Sequence, residues 1–394
     1  MRMTEENMPQ VSVQYDQQRN QVTEEEKKGL LYETSSGERV FRQDTSIIVH
    51  LPEGRSTLTS SWLNGGYREN IRYIFNHQVK NSADSHDSSS LRGGSITAFV
   101  SYISEQLGLD PALSTGLLTA ANMDHVCISN RCHRDVEVTA IITGGVEVNG
   151  GRAGDPASYH QENGKYIFGT INTILLIGAN LPPYAMVKAV ITATEAKTVA
   201  LQQLMAPSRY SEGIATGSGT DMIAIVADRT SPYILTDAGK HSKLGEMIGR
   251  CVIEATQKAL ANQSELTPQS QCDMLVRLER FGINEEYYWK KASEMEGENR
   301  KARFLASLRT MSKNPLLVGS ATAVLHIVDE ISWNLLPEKA GKRAAFIIMR
   351  GLPEALSAVN VPQMSDLLRE KESILDNWVR ITAWLAKNGM CANT

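Results

Sequence analysis

Apolar positions along the chain fall into blocks whose spacing predicts an element in each case. "TSIIVHLP" and "RSTLTSSWL", separated by "PEG", read as two strands of a hairpin, and "NGGY" follows as a tight turn. "YRENIRYIFNHQV" fits either a short helix or an extended segment, and "NSADSHDSSSLRGG" is a loop by composition. Ser95 is placed to cap a helix with Ile96, Phe99, Val100, Ile103 and Leu107 on one stripe. Asp110 and Pro111 signal a second helix, running to about Asn122. "DVEVTAIITGGVEVNGG" alternates as a strand ending in a glycine turn, and "KYIFGTINTILLIGANLPP" is a more continuously apolar strand. Pro183 opens a long helix, "MIAIVAD" is a strand, and a short strand and a further helix starting near Ser242 follow.

From about Gln269 onward every block has helical period and strand signals nearly vanish. The fold class is therefore α/β, a mixed sheet packed with helices, followed by an all-α C-terminal domain. The boundaries read as a polar lead-in over 1–44, an α/β domain over 45–265 and a helical domain over 266–394. No internal repeat is evident.

Composition narrows the classes of function. The chain has 394 residues, 42% apolar and 21% charged, with a formal net charge of −4. No basic excess points to nucleic acid or an anionic membrane. Five cysteines (Cys127, Cys132, Cys251, Cys272 and Cys391) form no CxxC pair, which fits reduced thiols in a cytoplasm. Cys127 and Cys132 with His125 and His133 lack the second matching pair that a structural zinc site needs. The polar start has no signal-peptide core, and "INTILLIGANLPP" is too short to span a bilayer. The expected location is cytoplasmic, with no membrane insertion and no nucleic-acid partner.

Candidate chemistry gathers where strands meet turns. "TAANMDHVCIS" carries Asn122, Asp124 and His125, and His is the side chain best suited to move protons near neutral pH. Neighbouring side chains point apart, so Asp124 is not expected to orient His125. "EVNGGRAGDPASY" offers Asn149, Arg152 as a donor fork, and Asp155, or simply a rigid turn. "SRYSEGIATGSGTDMIAIVAD" sets glycines and hydroxyls before a buried strand, with Asp221 at the junction. It is not a phosphate loop, because the glycines precede the strand and no lysine follows them. In "TDAGKHSKLGE", His241 lies near a helix start, where the dipole disfavours imidazolium, beside Lys240. Glu195 and Lys197 are two apart on the long helix and face different ways. Asp124, His125, Asp221, Asp237 and His241 could also converge on a metal.

Taken together, "TAANMDHVCIS", "VTAIITGGVEVNGGRAGDPASY", "GTINTILLIGANLPPYAMVKAVITATEAKT", "LQQLMAPSRYSEGIATGSGTDMIAI" and "LTDAGKHSKLGEMIGR" resemble the adenosylcobinamide amidohydrolase family of corrinoid salvage. The upstream "STLTSSWLNGGY" fits too. The likeness covers roughly residues 45–265 and leaves the helical part outside. It implies hydrolysis of the amide linking the corrin ring to its aminopropanol arm, giving adenosylcobyric acid and 1-amino-2-propanol. The partner would be an adenosylated corrinoid, which with its cobalt is the substrate. No further cofactor or metal is expected, and a homo-oligomer is possible.

Amide cleavage needs an activated nucleophile, an oxyanion stabiliser and a proton for the leaving amine. The catalytic candidates are His125 or His241 as base and acid, Asp221 to orient that histidine, and Asp124. Water, Thr216 or Thr220 would attack, and backbone N–H groups of the 213–220 loop would hold the oxyanion. Substrate-binding candidates are Asn64, Asn122, Asn149, Arg152, Asp155, Thr170, Asn172, Glu195, Lys197, Thr216, Gly217, Gly219, Thr220 and Lys240. A non-catalytic corrinoid-binding or regulatory protein and a nucleotide-dependent transferase are the rival readings.

Overall fold

The computed structural model describes residues 29–79, 92–156 and 170–389. Residues 1–28 of the expected lead-in, most of the 81–94 loop, the 165–169 start of an expected strand and Cys391 lie outside the described residues.

Two sheets stack face to face. Strands β1 (Leu30–Glu33), β2 (Arg39–Gln43), β3 (Ser46–His50), β6 (Tyr73–Gln78) and β7 (Ser114–Thr119) form a five-stranded sheet in that order. Strands β5 (Gly66–Arg68), β4 (Arg55–Thr59), β13 (Met222–Asp228), β11 (Asn172–Ile177), β9 (Val136–Thr143) and β8 (Cys127–His133) form the six-stranded one. The alternation of β11 explains the stacking. Ile174 and Leu176 face the smaller sheet, where they meet Ile47, Ile74 and Leu117; Leu175 and Ile177 face two helices. Those helices are α2 (Pro183–Gln203) and α3 (Lys243–Ser264). Helix α1 (Ile96–Gln106) covers the outer face of the five-stranded sheet through Val100 and Ile103. The result is four layers, helix–sheet–sheet–helix.

Four local expectations change, the first being the short strand after β13, which is only a single bridge of Ile234 to Asn180. β3 and β4 are not a hairpin: β3 pairs with β2 and β6, whereas β4 crosses to the other sheet and pairs with β13 and β5. The Asp110–Pro111 signal opens only a single 3₁₀ turn, Pro111–Leu113. The chain then becomes the fully buried strand β7: "STGLLT" is buried on both faces, its Gly116 packed against Phe75 and Val100. The sheet also begins earlier than expected, since β1 and β2 lie inside the stretch read as a polar lead-in.

After residue 270 the chain forms α4 (Met274–Leu278), α5 (Glu285–Ser293), α6 (Lys301–Met311), α7 (Pro315–Ser332), α8 (Glu338–Ala355), α9 (Met364–Leu367) and α10 (Ile374–Trp384). They enclose a separate core around Tyr288, Leu308, Met349 and Trp378. Among the described helices, α7 alone is long and apolar enough to cross a membrane by length and composition; its Leu317, Ala321 and Val324 point into this core.

Candidate active site

One end of the sandwich collects polar residues. β13 and β11 run parallel, and β9 runs antiparallel to β11. The residues just before β13 and β11 therefore lie beside those just after β9. β8, antiparallel to β9, starts at the same end. Asp221, Thr170 and Ile171, Gly144 and Gly145, and His125 thus share one mouth.

Asp221 is its anchor. Its Oδ1 accepts from Ile171 N–H (2.8 Å) and from Ser218 Oγ (2.8 Å), and lies 3.5 Å from Thr170 Oγ1. Its Oδ2 accepts from Ser218 N–H (3.0 Å) and from the Lys197 ammonium. Both side chains of the ion pair are mostly buried, 11% and 16% exposed, so solvent screens it little. Lys197 can approach because α2 packs through small residues, Ala193, Ala196 and Ala200. Gly217 is required at this point, since a Cβ there would lie 2.3 Å from Asp221 Oδ2 and 3.0 Å from Lys197 Nζ.

A two-stranded ribbon frames the anchor. β10 (Gly150–Gly151) pairs with β12 (Gly217–Ser218), and Gly219 N–H reaches Asn149 O. Thr216 Oγ1 accepts from Ala153 N–H (2.9 Å), and Thr198 Oγ1 donates to Thr216 O (3.0 Å). Asp155 accepts from Arg152 N–H (2.7 Å). Burial alone would raise its pKa, but hydrogen bonds from Ser208, Ser211 and Arg152 outweigh burial and hold it below the usual carboxylate range. Behind the ribbon, Asn172 Nδ2 donates to Asn76 Oδ1 (2.7 Å) and to Leu118 O (3.0 Å), and Asn76 Nδ2 donates to Thr143 Oγ1 (2.7 Å). Asn172 Oδ1 is buried without a partner among the described residues. These groups form a polar lid on the apolar space between the sheets.

His125 stands on the opposite lip. Gln263 Oε1 accepts from Asn122 N–H and lies 3.0 Å from His125 Nδ1. A backbone N–H can only donate, so this Gln263 atom must be the oxygen and Nδ1 must carry the proton. Nε2 is then the acceptor in the neutral ring. Gly144 and Gly145 line the floor between the lips, against Ile171 on one side and Gln263 on the other.

The expected link between Asp221 and a histidine is not formed. His125 precedes β8 and Asp221 precedes β13, three strands apart, so their backbones are separated by about 14 Å. Asp221 is engaged by Lys197 instead. His241 and Gln263 lie at opposite ends of α3, whose 22 residues span about 33 Å, so the two histidines cannot share a site. His241 is exposed, and its neighbour Lys240 pairs with Glu195 on the outer face of α2 (2.8 Å). Of Glu195 and Lys197, only Lys197 turns to the mouth. Asp124 is exposed and bound to Arg42 (2.9 Å), which holds its carboxyl below the usual range. Asn122 spends its side chain capping the 123–125 turn. Asn64, left-handed at φ 52°, donates to Pro111 O and Ser114 O and holds a turn.

The five residues weighed for a metal do not gather: Asp237, for instance, pairs with Lys188 (3.1 Å). Among the described residues no group of three His, Cys, Asp or Glu could hold an ion. Sequence reasoning missed Gln263, Asn76 and Thr143, and named Ser218 only as a loop hydroxyl. The S-x-x-D spacing of Ser218 and Asp221 was the available signal for its contact with the acid; the others are brought in by tertiary packing alone.

A cavity of about 540 Å³ opens at the other end of the sandwich. Its polar groups already serve one another: Glu137 accepts from Tyr32 (2.7 Å) and Ser35 N–H (2.8 Å), and Tyr233 donates to Asp135. The end that holds Lys197 and His125 is the better candidate, because it combines an oriented base with a cation.

Comparison with known proteins matches the segment that holds both sheets. A family model described as adenosylcobinamide amidohydrolase matches residues 31–268. An uncharacterised protein of Methanocaldococcus jannaschii is 30% identical over 249 residues, covering 58% of this chain and 90% of its own. An adenosylcobinamide amidohydrolase of Methanosarcina mazei is 29% identical over 231 residues, covering 57% of this chain and 98% of its own. Among solved structures, a Pyrococcus horikoshii OT3 protein (11% identical, TM-score 0.28, 59% of this chain and 82% of its own) aligns only remotely. A Burkholderia sp. beta-aminopeptidase does likewise (12% identical, TM-score 0.29, 59% of this chain and 81% of its own). Likeness that remote bears on neither the site nor its chemistry.

Proposed function

The chain belongs to the adenosylcobinamide amidohydrolase family, and from that premise we propose that it hydrolyses the amide joining aminopropanol to the corrin ring of adenosylcobinamide. The products are adenosylcobyric acid and 1-amino-2-propanol, as expected of a cytoplasmic enzyme of corrinoid salvage. The observation that carries this reading is that Lys197, Asp221, His125 and Gln263 all fall inside the matched segment, in two hydrogen-bonded pairs at the same end of the six-stranded sheet.

Roles follow from the hydrogen bonds. Asp221 accepts from several donors at once, so both its oxygens are engaged; it holds Lys197 and the ribbon in place. The Lys197 ammonium and the ribbon N–H groups supply the positive field for the tetrahedral oxyanion. His125, fixed by Gln263 with Nε2 open, takes the proton from attacking water and passes it to the leaving amine. The substrate lies between the lips, so the base and the oxyanion donors act from opposite sides. Asn149, Thr170, Asn172, Thr216, Gly217, Gly219 and Thr220 surround the Asp221 side, where the carboxamides that edge a corrin would be met.

Incubation with adenosylcobinamide, followed by assay for free 1-amino-2-propanol, tests the reading. Tight corrinoid binding with no release would replace it with the binding-protein reading.

A further inference from the structure

Helices α2 and α3 share the outer layer behind the six-stranded sheet, yet they turn different faces to solvent. α3 carries Lys243, Glu246 and Arg250 outward, joined in ion pairs as on a solvated helix face. α2 instead exposes Tyr184 (60%), Val187 (50%) and Ile191 (53%). Their i, i+3, i+7 spacing puts them on one stripe about 10 Å long. Ile234 is 69% exposed and sits beside the start of α2 through its bridge to Asn180. Single exposed apolar residues are ordinary, but large ones gathered in one patch mark a surface that meets another protein.

The charges around the patch decide the partner. Lys188, on the same face of α2, pairs with Asp237 (3.1 Å), and Glu195, two turns on, pairs with Lys240 (2.8 Å). The 237–240 segment thus lies along one flank of α2, with Asp237 beside Lys188 and Lys240 beside Glu195. Ile191 comes three residues after Lys188 and four before Glu195. Opposite signs therefore stand at nearly equal distances on either side of Ile191, on the helix and on its flank alike. Such a face is complementary to itself when turned about a two-fold axis. Thr194, as far after Ile191 as Lys188 is before it, spends its hydroxyl on Val190 O (2.9 Å) and asks for no polar partner.

We infer that a second copy of this chain docks on this face, with the two α2 helices antiparallel and the two-fold axis at Ile191. Ile191 then packs on its equivalent, and Val187 of each copy lies on Thr194 of the other. Lys188 of each copy faces Glu195 of the other, and Asp237 faces Lys240, which gives two quartets of alternating charge. A partner carrying one sign of charge would set like charges against half of these groups. The apolar stripe supplies the affinity, and the quartets fix the register.

Sedimentation of the full chain over a range of micromolar concentrations tests this, and its readout is independent of the amidohydrolase reading. Wild type is expected to have the mass of two chains. Ile191→Glu sets two carboxylates against each other on the axis and should raise Kd by about a hundredfold. Lys188→Glu and Glu195→Lys should each raise it about tenfold, and the double exchange, which restores opposite charges across the axis, should recover most of that loss. All three positions are exposed, so the variants should keep their fold, checked by circular dichroism. A wild type with the mass of one chain overturns the inference. So does a dimer that Ile191→Glu leaves intact, or a double exchange that recovers nothing.

Discussion

Strand β13 is bracketed by two aspartates, and its two ends are built differently. Asp228, at the far end, lies 2.6 Å from Arg55, accepts from Thr230 N–H and Oγ1, and is 6% exposed. Arg55 also binds Glu38, which is 2% exposed, and donates to Ser36 O. Asp221, at the near end, holds a single lysine together with hydroxyl and backbone donors. The same acid on the same strand joins a buried network of two carboxylates and an arginine at one end and anchors a lysine at the other. What separates them is the partners each is given, not residue type.

Removing a charge should break the Asp228 end most. Arg55→Ala leaves two buried carboxylates facing each other uncompensated and is expected to cost about 3–5 kcal/mol of stability, measured by urea unfolding. A smaller loss than that caused by Lys197→Ala would erase the distinction between the ends.

At the Asp221 end the cost should fall on turnover. Lys197→Ala is expected to lower kcat by about 10²–10³ while the fold persists, and His125→Ala to act similarly through loss of the base. Full activity in His125→Ala with loss in Lys197→Ala would shift the proton transfer to the Asp221 side. Gln263→Ala should be milder, roughly tenfold in kcat, because the ring loses its orienting partner but remains.

Gly217→Ala inserts a methyl group against Asp221 and Lys197. A loss of about 1–3 kcal/mol of stability together with reduced turnover is expected, read by thermal unfolding and the aminopropanol assay side by side. Unchanged values would show that the ion pair does not need this close approach.

The smallest effect is a pH dependence. His77 is half-buried beside Ser46 Oγ (2.8 Å), and burial lowers its pKa from 6.5 to about 4. The folded state therefore keeps it neutral while the unfolded chain takes up a proton below about 6.5. Stability should fall as pH drops from about 6.5 to 4. His77→Gln should flatten that part of the melting-temperature profile, and an unchanged profile would assign the acid sensitivity elsewhere.

The elements differ in how much of them is legible locally. The Ser95 and Ser242 caps, the Pro183 start and the helical blocks past residue 269 rest on signals within a few residues, and the structure has them where those signals put them. β7 reads locally as a helix because Asp110–Pro111 starts a 3₁₀ turn and an α-helix alike, and only burial on both faces decides against the helix. The expected β3–β4 hairpin does not form because both strands have the right period while their partners lie far away in the chain. In the site, Asp221, Gly217 and Lys197 are legible from the residue types at a strand start and on the neighbouring helix. Their contact, and the presence of Gln263 rather than a carboxylate behind His125, are not.

Local chemistry therefore determined most of the helices and strands, that an α/β part precedes a helical one, which turns carry reactive side chains, and the contact of Ser218 with Asp221. Tertiary packing decided the rest. It placed His125 three strands from Asp221 and brought Lys197 from the neighbouring helix to that acid. The physical reason is that hydrogen-bonded pairing between distant strands fixes positions in space to within a few ångströms, whereas spacing along the chain constrains them only over a turn or two.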